Sequence, residues 1–407
     1  MNKHIIILAW RNIWRSKRRT IITAMSIFFA VLMAVLMRSM QLGSYDLMID
    51  NAVHFYSGYM QVHDSGYWEN KSINRLLEDT PALRNKIQSA EGVESLFPRL
   101  ETYALTASID KTRGAMVMGI AADAENAFSN LKEKVSKGQY LTDSSKGVMI
   151  SKGLSDYLEL GLQDTIVLIG QGYHGVNAAA KYPISGIISH PNPQMDKGLI
   201  YMPISLAQQF VGAPNMATSY VLNIHDRGEI SKIRQELSAS LGGEFEVMSW
   251  DDMQPELVQM IESDSSGGII MLFILYTVIA FGIFGTIMMM TLERKREFGV
   301  LVAVGMYKTS LGILVALESL LIGFLGLVAG FLFSLPLLWY LHNHPIPLSG
   351  DTAEAMLKMG VEPILPFSMD NGIFLMQAII VIAIMLLCLA YPLFKITLIK
   401  PADAVRL

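Results

Sequence analysis

Four long runs of this sequence carry almost no charge, and they constrain the fold more than any other feature. They are Thr20 to Gln41, broken only by Arg38; Gly267 to Leu292; Ser310 to Leu341, broken only by Glu318; and Gly372 to Phe394. A helix of about 20 apolar residues crosses the hydrocarbon core of a bilayer. Backbone at that depth must satisfy its own hydrogen bonds, so each run is expected to be a membrane-spanning helix. Together they hold 103 of the 407 residues. The first run is uncharged for 18 residues, from Thr20 to Met37. A secretory h-region has only about 7–15, and no small-residue cleavage pattern follows, so a retained helix is expected.

Composition agrees. Hydrophobic residues make up 52% of the chain and charged residues 17%, against about 25% charged in a soluble globular protein. That balance excludes an ordinary soluble enzyme. The net charge of −4 gives no overall basic footprint for nucleic acid. The single cysteine, Cys388, excludes an intramolecular disulfide or a CxxC site.

Basic residues in short flanks set orientation. Residues 1–19, the segment 293–309 and the tail 395–407 hold 13 Lys and Arg between them. The short segment 342–371 holds only Lys358, against Asp351, Glu354, Glu362 and Asp370. Both termini and the 293–309 segment are therefore expected in the cytoplasm. Residues 42–266 then lie outside, with 17 basic and 28 acidic residues, a balance of −11. Their number is enough for an independent domain.

That stretch reads as mixed α and β structure. Gly147 to Leu168 has the pattern strand, helix, strand. Further strands are expected at Tyr182 to Ile188, Gly198 to Met202 and Ser219 to Ile224, and helices at Pro203 to Phe210 and Glu229 to Leu241. Gln171 to Asn177 reads as a hairpin tip. Met40 to Phe55 and Met253 to Ser266 continue the first and second membrane helices outward, as paired stalks.

Catalytic patterns are missing. The histidines at 54, 63, 174, 190 and 225 have no partner at metal-ligand spacing. No G-x-S-x-G elbow occurs, and no P-loop, so an ATPase activity is not expected in this chain. The informative polar residues lie elsewhere. Glu293-Arg-Lys-Arg-Glu-Phe-Gly-Val-Leu-Val-Ala-Val-Gly305 follows the second membrane helix directly. It serves equally as a positive-inside anchor or as a short helix that fits a groove in a cytoplasmic partner. In the N-terminal stretch, Leu8, Trp10, Ile13 and Trp14 can share a face opposite Arg11, Arg15, Lys17 and Arg18, a composition suited to the membrane interface. Glu318 is an ionisable group at lipid depth, where it acts as polar glue or has a mechanistic role. Gly323, Gly326 and Gly330 after it form a small-residue face for close helix packing, within one chain or between two.

These motifs resemble the FtsX/MacB-type permeases of ABC transporters. Leu8-Ala-Trp-Arg-Asn-Ile-Trp-Arg-Ser-Lys-Arg-Arg-Thr20 is similar to the family's approach to its first helix. Glu293-Arg-x-x-Glu-x-Gly-x-Leu-x-Ala-x-Gly305 is similar to its signature after the second, with Val302 where arginine is frequent. Glu318 with its glycines resembles the third helix, and Pro401-Ala-Asp-Ala-Val-Arg406 the C-terminal ending. The outer domain resembles the lipoprotein-releasing LolC/LolE branch at Gly119-Ile-Ala-Ala-Asp-Ala-Glu125 and Gly138-Gln-Tyr-Leu141, although Ala122 replaces a proline. Ile150 to Asp164 and Tyr201 to Gln209 are similar to stretches shared with MacB.

The resemblance implies an α+β chain: a four-helix transmembrane permease with a large mixed α/β extracytoplasmic domain between the first and second membrane helices. The expected organisation is 1–19 amphipathic helix, 20–41 first span, 42–266 periplasmic domain, 267–292 second span, 293–309 coupling segment, 310–341 third span, 342–371 short outer loop, 372–394 fourth span and 395–407 tail. Glu293, Arg294, Arg296, Glu297, Gly299, Leu301 and Gly305 would then couple to a separate ABC ATPase subunit, which binds ATP and Mg while this chain holds no cofactor. A second permease subunit would pair with it in the bacterial inner membrane, among membrane lipid. The implied activity is extraction of lipoproteins from the inner membrane and transfer to a periplasmic carrier. Alternatives are a MacB-like mechanotransmission exporter of peptides or toxins and an FtsX-like regulator of a cell-wall hydrolase.

Overall fold

The computed structural model describes residues 3–190, 192–359 and 363–398. The chain divides into two compact units. One comprises Met1–Asp46, Met260–Pro347 and Leu365–Leu407, the other Leu47–Gln259 and Leu348–Ile364.

The first unit is helical. Helix α1 spans Lys3–Arg15 and α2 spans Lys17–Ala52, continued by one π-helical turn, Val53–Ser57; from Leu47 onward these residues count with the second unit. Helix α3 is Pro255–Glu293, α4 is Lys295–Ala303, α5 is Lys308–Asn343 and α6 is Asn371–Thr397. Four of these are long and apolar enough to cross a membrane: α2 with its π turn, α3, α5 and α6. At 1.5 Å per residue, the 39 residues of α3 extend well past a hydrocarbon core of about 30 Å.

Lipid tails are as apolar as leucine, so helices in a bilayer associate through close packing rather than through water exclusion. The buried stripe Ile27, Val31 and Val35 of α2 supplies one such surface, in one cluster with Leu327 and Leu338 of α5 and with Val381, Met385 and Cys388 of α6. Near the other end of α2, Ser39 Oγ donates to the Ser368 carbonyl at 2.6 Å.

The α/β unit is built on a ten-stranded sheet: β1 Met60–Asp64, β2 Val93–Ala107, β3 Thr112–Ile120, β4 Val135–Gly138, β5 Val148–Ser151, β6 Thr165–Gln171, β7 Asn177–Ile188, β8 Leu199–Pro203, β9 Ser219–Ile224 and β10 Phe245–Ser249. The strand order is β10-β1-β9-β2-β3-β8-β5-β7-β4, and β6 joins β7 to β2. The pairings β2-β3-β8-β5-β7-β6-β2 therefore close a six-stranded ring, which removes free edges there.

The 15-residue strand β2 belongs to two parts at once. Its first half pairs with β9 at Leu222↔Leu96, its second half with β6 at Leu105↔Ile169. Alternate residues face opposite sides, as strand geometry requires. Ala115, Val117, Val148, Ile150, Ile200 and Met202 fill one core, while Met118, Ile120, Met149, Leu199 and Tyr201 fill another. A third core packs the open end of the sheet against the helix Ile230–Leu241 through Ile233 and Leu237.

The expected strands and helices between 147 and 241 are all present, and β6 and β7 turn at Gln171↔Asn177 as a hairpin. The segment 342–371, expected as a loop, contains a helix, Asp351–Met359, which belongs to the α/β unit. Lys400, Glu362 and the Pro401–Arg406 motif lie outside the described residues.

Candidate functional site

The polar residues singled out in the helical unit converge on one place. Helix α3 ends at Glu293, α4 begins at Lys295, and Arg294 sits at the corner between them. Its guanidinium is buried and bonds to Glu318 on α5. The other Glu318 oxygen accepts from Asn12 Nδ2 of α1 at 2.6 Å. Glu318 is 2% exposed, so both of its oxygens are met by donors out of reach of bulk water. A carboxylate buried without such partners would cost several kcal/mol.

The network continues. Arg294 Nε donates to Glu297 Oε2 at 3.1 Å, and its charged carbon lies 5.1 Å from the Phe298 ring centre. Arg15 Nη2 donates to both Glu297 oxygens, at 2.5 and 2.6 Å. Burial raises the proton affinity of the Glu297 carboxyl, but hydrogen bonds from Arg15 and Arg294 outweigh it and hold the group below the usual carboxylate range. Arg19 of α2 pairs with Glu293. Asn12, Glu318, Arg294, Glu297 and Arg15 thus form a closed circuit through α1, α5, the α3–α4 corner and α4. Apolar contacts underlie it: Ala9, Phe298, Leu311, Leu314 and Val315 form one cluster, and Ile13, Met290 and Ile322 another.

Helix α4 has two faces. Phe298 and Gly299 point inward and are buried. Lys295, Arg296, Val300, Leu301 and Val304 are exposed, Val304 at 84%, followed by Tyr307 at 79%. Val300 and Val304 are one helical turn apart, with Tyr307 beyond them, so an apolar ridge stands beside two cations. Gly305 ends the segment with φ +107° in open space, a conformation that favours glycine.

On α1 the buried face is Ala9 and Ile13, with Asn12 between them, while Leu8, Trp10, Trp14 and Arg11 are exposed. The expected shared face of Leu8, Trp10, Ile13 and Trp14 is therefore split. The two tryptophans contact each other edge to face at 5.9 Å. Arg15, expected at the membrane interface, is engaged by Glu297. Sequence reasoning missed Asn12; its only signal is a position three residues before Arg15, on the same side of the helix.

The three glycines pack within the chain. A Cβ at Gly326 would lie 2.7 Å from the Ala24 carbonyl oxygen, and one at Gly330 would lie 2.9 Å from Val31 Cγ1, so α2 approaches α5 as closely as backbone allows. At Gly323 the neighbour is Met385 of α6. Among the described residues no cluster of His, Cys, Asp and Glu could hold a metal ion.

Comparison with known proteins accounts for both units. Residues 20–240 match the family of the MacB-like periplasmic core domain, and residues 269–401 match the FtsX-like permease C-terminal family. The chain is 20% identical over 323 residues to the lipoprotein-releasing system transmembrane protein LolC of Xylella fastidiosa, covering 77% of this chain and 78% of that one. It is 24% identical over 276 residues to an uncharacterized ABC transporter permease protein of Mycobacterium tuberculosis, covering 64% of this chain and 30% of that longer protein. Among solved structures, the periplasmic region of MacB from Actinobacillus actinomycetemcomitans aligns with a TM-score of 0.34 at 16% identity, over 50% of this chain and 92% of that one. The extracellular domain of the noncanonic ABC-type transporter YknZ from Gram-positive bacteria aligns with a TM-score of 0.33 at 12% identity, over 47% and 99%. With family matches over both of its units, this chain belongs to the FtsX/MacB family of ABC transporter permeases.

Proposed function

We propose that this chain is the membrane subunit of a lipoprotein-releasing machine, in which ATP hydrolysis by a separate subunit moves the α/β unit. Membership of the family implies a partner ATPase and a dimeric arrangement; permease subunits are not themselves enzymes. Four apolar helices and a periplasmic-type core domain fit a multi-pass inner-membrane protein. In the proposed topology both termini and α4 face the cytoplasm, and the α/β unit stands in the periplasm between the first and second spans.

The single observation that carries the coupling role is α4. Its exposed ridge of Val300, Leu301, Val304 and Tyr307 lies beside Lys295 and Arg296, above a buried ion pair. A short amphipathic helix of this kind suits a groove in a partner. Residues Glu293, Arg294, Arg296, Glu297, Gly299, Leu301 and Gly305 divide the work. Leu301 and Arg296 face the ATPase, Arg294 and Glu297 hold the helix in place, and Gly299 and Gly305 set its inner packing and its end. ATP and Mg belong to the partner.

Lipoprotein as cargo is supported by the LolC relative, whose similarity spans most of both chains. A soluble periplasmic carrier would receive the cargo. Two tests separate the parts of this reading. Glu297→Lys or Gly305→Trp should abolish ATPase association or stimulated hydrolysis while membrane insertion is kept; retention of both functions rejects α4 as the coupling element. Depletion of the protein should leave lipoproteins in the inner membrane. Unchanged lipoprotein sorting with a co-purified adaptor would point to an exporter, and with a co-purified cell-wall hydrolase to a regulator.

A further inference from the structure

Helix α1 is separated from α2 by one non-helical residue, Ser16. That joint is closed by backbone bonds from Arg19 and Thr20 to the Ser16 carbonyl at 3.2 and 3.1 Å, and by Thr20 Oγ1 on the Ile13 carbonyl at 2.8 Å. Beyond it, Ile13 shares a cluster with Ala24 of α2, while the polar attachments of α1 run to other helices. Ala9 and Ile13 pack on α5, Asn12 holds Glu318 of α5, and Arg15 holds Glu297 of α4. A buried ion pair is weak evidence for stability, since apolar side chains of similar volume often serve as well. The polar circuit instead fixes a register, because Glu318 offers one oxygen to α1 and the other to the α3–α4 corner.

Resting on the reading of α4 as the ATPase-docking segment, we infer that α1 is a working part of the coupling device. Asn12 and Arg15 bind it to Glu318 and Glu297, so that α1, α4 and the stretch of α5 around Glu318 move as one block, pivoting against α2 at Ser16 while the part-exposed Arg19–Glu293 pair gives way. Glu318 is the positioning residue: a displacement of α4 reaches α5 through Arg294 and carries α1 along through Asn12. The docking ridge takes no part in the bonds at Glu318, so breaking those bonds separates ATPase binding from ATPase-driven motion.

The test uses the complete permease–ATPase assembly in lipid nanodiscs. Asn12→Asp places a carboxylate against Glu318, and Glu318→Gln removes the charge that Arg294 meets. Each single variant should retain bound ATPase subunit but lower ATP hydrolysis about tenfold, the effect of one lost charge-assisted bond. In the double variant the amide introduced at position 318 can donate to the carboxylate introduced at position 12 while its oxygen still accepts from Arg294, so most of the rate should be recovered. Wild-type hydrolysis in both single variants, or a double variant as impaired as the singles, overturns the inference. With Cys388 replaced by serine, spin labels at Trp10→Cys and Ala303→Cys should keep their separation on ATP binding. Labels at Trp10→Cys and Phe29→Cys should change theirs, and the reverse pattern also overturns the inference. Failure of the docking reading looks different: Gly305→Trp would keep both ATPase binding and hydrolysis.

Discussion

Arg99 and Glu125 face each other inside the α/β unit, with Arg99 Nε and Nη2 donating to the two carboxylate oxygens at 2.8 and 2.6 Å. Arg99 is 0% exposed, and its third nitrogen bonds the Tyr56 carbonyl in the π turn that ends α2. One guanidinium therefore joins β2, the helix Ala122–Ser129 and the start of the unit. Arg99→Met would leave Glu125 buried without its partner and should cost about 3–5 kcal/mol. Adding Glu125→Leu should recover much of that loss. Urea unfolding of the full chain in detergent, followed by tryptophan fluorescence, reads both values.

Gly326 and Gly323 should respond differently to the same change. A methyl group at Gly326 meets the Ala24 backbone, which cannot move aside, so Gly326→Ala should cost about 1–3 kcal/mol by overpacking. At Gly323 the obstacle is the end of the Met385 side chain, which can adopt another rotamer. Gly323→Ala should therefore lower the thermal midpoint less than Gly326→Ala does. Equal losses would show that α2 and α6 approach α5 with the same rigidity.

Lys71 gives the α/β unit an alkaline signature. Its ammonium lies against the Trp68 ring, and burial pushes its pKa down to about 8 although Glu101 pulls the other way. The unfolded chain keeps the ordinary value of 10.5. Between those two values the unfolded state binds more protons, so stability should rise with pH across that interval. Urea midpoints measured at several pH values in that window should climb in the wild type. The climb should flatten in Lys71→Met.

Glu297 acts at the acid end. Its folded pKa lies below the usual carboxylate range, so its links to Arg15 and Arg294 contribute fully above the unfolded value and vanish as pH falls through the folded one. Arg15→Gln removes one of the two cations that bind this carboxylate and should move the loss to higher pH. Protection of α4 amides from hydrogen exchange, followed from pH 6 downward, would register the difference.

Much of this was legible in the sequence, for physical reasons that also mark the gaps. Four uncharged runs permit little besides helices, and their ends are written in charges such as Lys17 and Glu293. The hairpin at Gln171 to Asn177 is a local event. The six-stranded ring is not: β5 and β8 are buried on both faces, so Val148-Met-Ile and Leu199-Ile-Tyr-Met show no alternation. Their partners are chosen over long distances in the chain. The polar circuit was half legible. Glu318 stood out because charge is rare at that depth, whereas nothing local distinguishes Asn12 from any amide on a helix, and its partner lies 306 positions away. The tryptophans misled because a helical plot places them near Ile13, while Ile13 is at one side of a buried arc that centres on Ala9.

The pairing of β1 with β10 has a mechanical meaning. In the main segment of the α/β unit, Leu47–Gln259, β1 is the first strand and β10 the last, and Met60 lies opposite Ser249 at the shared end. Tension on both connections thus acts at one corner of the sheet. If the two are drawn apart, the β1–β10 hydrogen bonds open one after another, as in a zipper. If they are drawn in the same direction, the load falls in shear on the β1–β9 ladder, whose bonds must yield together. The sheet is therefore soft to separation of the connections at β1 and β10 and stiff to a joint pull on them.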